Sequence, residues 1–140
     1  MFSKRIASQL ELTDATMNSE SISILVRDTL AGYHYAHPPQ GTTIGVPWSR
    51  EKVDSYVERL KRSLVEPYIQ RFELRETYEQ VRQVDPSFAE LWVVADAGNG
   101  YLEWYDPASG EFGLGIQAQG SERPIAIGVR GDLVGVFCAI

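Results

Sequence analysis

The sequence predicts an α+β domain, with N-terminal helices packed on one face of a C-terminal antiparallel sheet, a meander of about five strands. Three observations predict it. Apolar residues recur at spacings of three and four from Val53 to Ile69. Short runs rich in aromatic and β-branched residues fill positions 90–138. The segments DAGNG, DPASGE, QAQGSER and RGD separate those runs, and each carries turn-forming residues. Helical periodicity first and strand alternation after it point to one sheet covered by helices. A chain of 140 residues is the size of a single domain, 1–140.

The elements follow in order. Phe2, Ile6 and Leu10 suggest a short helix, although 1–20 is expected to be only partly ordered. The stretch SISILVRDTL, 21–30, reads either way. Ile22, Ile24 and Val26 alternate like a strand, whereas Leu25 and Leu30 break the alternation and keep a helix open. Residues 31–48 hold three prolines and three glycines and are expected to form a long irregular loop. Long loops are often functional, which makes this one a first candidate surface. Ser49 is a natural N-cap, with Trp48 before it as a packed lead-in. Helical structure is expected over 49–83, with a kink or restart at Pro67. Sheet is expected over 90–138, with strands at 91–95, 101–105, 112–116, 124–129 and 133–137.

Charge is unevenly placed. Residues 85–140 carry eight acidic and two basic side chains, which accounts for the whole net charge of -6. A nucleic-acid surface needs the opposite sign, so no nucleic acid is expected as a partner. A basic protein partner suits the field better. No apolar run approaches the length of a membrane span, so no membrane association is expected either. Cys138 is the only cysteine, which excludes an intrachain disulfide and favours a reducing, cytoplasmic setting. The sequence leaves the oligomeric state open.

The chemistry-bearing residues gather in two places. Around the first hairpin stand Asp96, Asn99, Tyr101, Glu103, Trp104 and Asp106. Geometry alone explains Asn99-Gly100 and Asp106-Pro107 as turns. Their spacing fits no calcium loop, and no metal or cofactor is expected. Exposed aromatics ringed by these acids would make an interface patch. The second place is the loop, where Tyr33, His34 and Trp48 could line a pocket. His34 and His37 alone are too few to bind a structural metal.

The stretch WVVADAGNGYLEWYDPASGEFGLG, 92–115, resembles the sheet portion of the SUKH superfamily. There a strand, an acidic glycine-rich turn and an aromatic strand recur, and many members are immunity proteins that bind and neutralise toxins. The resemblance implies protein binding.

Two functional readings stand apart from an enzyme. One is a small acidic cytoplasmic protein-binding domain, in its sharpest form an immunity-type inhibitor that neutralises a basic toxin or enzyme by direct binding. The other is a small-ligand-binding or regulatory domain with a pocket between helices and sheet. An enzyme would need His34, His37, Asp96 and Glu103 to converge in one cleft, and the sequence leans away from it.

Overall fold

The computed structural model describes residues 17–35 and 48–140. The expected N-terminal helix and most of the expected 31–48 loop lie outside the described residues. The elements are α1 (Ser19–Ala31), α2 (Arg50–Ser63), β1 (Leu64–Leu74), α3 (Tyr78–Arg82), β2 (Ser87–Asp96), β3 (Tyr101–Asp106), β4 (Glu111–Ile116), β5 (Ile125–Gly131) and α4 (Leu133–Phe137). The architecture is an α+β fold with N-terminal helices and a five-stranded antiparallel meander. Beyond the meander, the sheet closes on itself. Glu73 and Leu74 of β1 pair in parallel with Ile125 and Ala126 of β5.

Local chemistry resolves the ambiguous stretch 21–30 in favour of a helix. Asn18 and Ser21 form a reciprocal capping box at the start of α1. Ile22 and Val26, four apart, turn into the core, whereas Ile24 is left 49% exposed. The strand-like alternation was therefore incidental. Ser49 caps α2 as expected, its hydroxyl accepting the Lys52 amide at 3.1 Å.

Two expected elements are corrected. The helix does not run through 49–83. It stops at Ser63, and Leu64–Leu74 is a strand. Pro67 cannot supply a helical amide and sits in a bulge, where the ladder to β2 shifts between Leu64 and Tyr68. The spacing of Leu64, Tyr68 and Phe72 suits a strand as well as a helix, and the bulge leaves Leu64 against the helical core while Phe72 is buried inside the barrel. Of the expected helical run beyond Pro67, only the five residues of α3 remain, started by a Thr77–Gln80 capping box.

The expected fifth strand, 133–137, is α4 instead. Asp132 accepts the Gly135 amide at 3.0 Å and so caps it. Leu133, Val134, Val136 and Phe137 are all buried, which a strand with one solvent face would not achieve.

Two cores result. Inside the barrel lie Phe72, Leu91, Val93, Leu102, Trp104 and Ala126. Between the barrel wall and the helices lie Ile22, Val26, Leu60, Val94, Tyr105, Leu114 and the face of α4. Successive strand residues alternate between them, as Val93 and Val94 do. A barrel this narrow can hold large side chains only where the opposite wall is bare. A Cβ on Gly113 would lie 2.0 Å from the Trp104 ring, and one on Gly115 would lie 2.5 Å from the Phe72 ring. These two inward positions of β4 must be glycine for the aromatic interior to fit.

Candidate functional site

The hairpin between β2 and β3 is built by its own residues. Asp96 Oδ1 accepts the Gly98 amide at 2.9 Å, and Asn99 Oδ1 accepts the Tyr101 amide at 3.3 Å. Gly98 and Gly100 take positive φ of 84° and 93°, a region that disfavours side chains. The turn after β3 works in the same way. Asp106 Oδ1 accepts the Ala108 amide at 3.0 Å. Asp96 pairs with Leu102 and Asp106 with Glu111, so the two aspartates stand at opposite ends of β3.

The strand between them does not offer an aromatic patch. Trp104 is fully buried inside the barrel and Tyr105 is 7% exposed on the helical side, while Tyr101 is half-buried. Arg130 covers the Trp104 end of the barrel. Its guanidinium lies 4.8 Å from the indole centroid and bonds Glu76 at 2.9 Å, with Asp106 and Glu111 each at 3.5 Å. Two acids of the C-terminal half are thus already matched to a cation.

Glu103 faces the other way, under the helices. It is 1% exposed, and neither carboxylate oxygen has a hydrogen-bond partner among the described residues. Burial pushes its carboxyl well above the ordinary range, and the charge of Asp132 adds to the effect. An isolated carboxyl in such a place is stable only in its neutral form.

The second predicted group lies between the end of α1 and the start of α2. Tyr33 follows α1 and packs half-buried against the helical core. His34 is exposed. Trp48 lies 5.1 Å from the Tyr56 ring, with the Lys52 ammonium 3.9 Å from its centroid. The Tyr35 hydroxyl donates to the Trp48 carbonyl at 2.8 Å, holding these two residues side by side. His37 lies outside the described residues. Burial, then Asp132 and Glu103, pushes the Cys138 thiol up, which disfavours the thiolate a nucleophile requires. Among the described residues no three His, Cys, Asp or Glu side chains are placed to hold a metal ion.

Three surface features emerge that the sequence reading did not name. A groove of about 570 Å³ runs between α1 and the bulged start of β1, with Ser23 and Arg27 on one side and Leu64, Glu66 and Pro67 on the other. A recess of about 330 Å³ opens at the end of the barrel away from Arg130, between Tyr68, Gln70, Asp96 and Gln117. The third feature is α3, which buries none of its residues. Tyr78, Val81 and, just beyond it, Val84 are 71%, 60% and 94% exposed. Strand alternation from Tyr68 to Phe72 would have pointed to the recess. Tyr78 and Val81 fall within the expected helical run 49–83, whose spacing alone gave no sign that they would be exposed.

Comparison with protein-family models, curated proteins and solved structures finds no match. The resemblance of 92–115 to the SUKH superfamily has no family match behind it, and function is argued from the site.

Proposed function

We propose that this chain is a protein-binding domain. One observation carries the reading. The short helix between β1 and β2 presents Tyr78 and Val81 to solvent and buries nothing of its own, and Val84 stands exposed just beyond it. Grouped apolar side chains cost free energy where they face water, and on natural surfaces such groups mark contacts. Hydrogen bonds tie the helix to the end of β1. Arg75 bonds the carbonyls of Gln80 and Gln83 from below, and Gln80 returns a bond to the Glu76 amide at 2.7 Å.

The narrower form, an inhibitor that neutralises a basic toxin or enzyme, is supported by the exposed acids Asp85, Glu90 and Glu122, which form no ion pair among the described residues. Asp85 adjoins Val84, so apolar contact and charge would act at one edge. To test this, the tagged protein is purified from its native host at low and high salt, beside a Val81→Asp variant. One stoichiometric partner, lost from the variant, is expected. Equal capture by the variant, or no partner with either protein, refutes the reading.

The groove between α1 and β1 favours a second reading, a small-ligand or regulatory domain. Its volume falls within the range of ligand sites. Arg27 donates to the Ser23 hydroxyl at 2.7 Å, and neither Arg27 nor Glu66 forms an ion pair among the described residues. A zwitterion with an apolar body matches that lining, and thermal shifts with amino acids and short peptides, absent in Arg27→Met, would support it.

A further inference from the structure

We propose that the open end of the barrel binds an organic ammonium group, the head of a primary amine on an alkyl stem. The proposal rests on neither reading above. The two ends of the barrel differ. One is sealed by Arg130 over Trp104, whereas the other opens into the recess floored by Leu102. Barrel mouths are favoured places for small ligands.

The chemistry of the lining selects the ligand. Gln70 donates its amide nitrogen to the Arg71 carbonyl at 3.2 Å, and Gln117 donates its own to the Ser121 carbonyl at 2.7 Å. Each amide oxygen is thereby left as an acceptor. Asp96 spends Oδ1 on the Gly98 amide and makes no ion pair among the described residues. Tyr68 adds a ring that is 43% exposed. Its phenol is pushed up by burial and then by the Asp96 charge, which sets the two groups near each other. Among the described residues no lysine or arginine lines the recess. The wall is therefore negative and rich in acceptors. An ammonium has three donors and no acceptor, which complements such a wall, and an aromatic face beside a carboxylate attracts a cation. Anions are repelled by Asp96, and a neutral alcohol would leave that charge unmatched.

The test is an amide-resolved NMR titration of the full chain with butylamine, with N-acetyl-lysine methylamide, and with butanol as the neutral control. Both amines are expected to shift Tyr68, Gln70, Gly98, Gly100 and Gln117, and butanol is not. If only the lysine derivative binds, the site reads a protein side chain; if butylamine binds as well, a free amine suffices. Asp96→Asn keeps the turn acceptor and should weaken binding about twofold to fivefold, the worth of one exposed charge pair. Gln70→Glu adds a second carboxylate and should tighten it. Equal shifts with butanol, no shift with either amine, or amine affinity unchanged in both variants would overturn the proposal.

Discussion

Replacing Gly113 by alanine should damage the fold far more than one methyl group suggests. The new Cβ would stand 2.0, 2.2 and 2.6 Å from Cζ2, Cη2 and Cε2 of Trp104. Ordinary contacts between carbons fall near 3.5–4.0 Å, so the indole would have to retreat by roughly 1.5 Å. It has nowhere to go. Trp104 is fully buried, the Phe72 ring centroid is 6.4 Å away, and Phe72 is itself pressed against Gly115. Overpacking of a well-filled core costs about 1–3 kcal/mol, and a rigid ring places this case at about 3 kcal/mol. For a domain of this size that is a fall of about 10 °C in Tm. The assay is urea unfolding followed by the fluorescence of the three tryptophans. A double-mutant cycle with Trp104→Phe isolates the cause, because the clashing atoms belong to the half of the indole that phenylalanine lacks. Trp104→Phe alone should destabilise by leaving a cavity, and the alanine should then cost at least about 1 kcal/mol less in that background. A Gly113→Ala midpoint equal to the parent, or strictly additive costs, would refute the account of the barrel interior.

Other outcomes follow from single side chains. Glu103 has a raised folded pKa, so between the unfolded carboxyl value and that raised value the folded state holds the extra proton. Its contribution to stability is therefore lost as pH rises through this window, and Glu103→Gln should flatten the decline in stability that unfolding shows as pH rises above the ordinary carboxyl range. Parallel curves for the two proteins would contradict this. Arg130→Met should cost about 1–2 kcal/mol in urea unfolding, more than an exposed pair, because it strips the partner of Glu76, whose side chain is 10% exposed, and uncovers Trp104. Asp132→Ala should cost about 1 kcal/mol by uncapping α4, with Asp132→Asn losing much less. Equal losses for the two Asp132 variants would show that charge rather than capping matters.

The sequence by itself determined what depends on neighbours in the chain. Gly98-Asn99-Gly100 and Asp106-Pro107 specify turns through φ preference and self-bonding aspartates, and β3 and β4 fall where alternation puts them. Ser49 fixed the start of α2 through one hydroxyl. Tertiary structure decided the rest. The spacing of Leu64, Tyr68 and Phe72 suits a strand as well as a helix, and pairing with β2 and closure against β5 made them a strand. The apolar run Leu133–Phe137 suits either element until burial on every side selects a helix. The candidate site was legible only in part. Asp96 could be named from its turn, but its recess also needs Tyr68, Gln70 and Gln117, which only barrel closure brings together. Glu103 and Trp104 looked like surface candidates because a strand sequence gives alternation but not what covers each face. Here the barrel interior took Trp104 and the helical layer took Glu103.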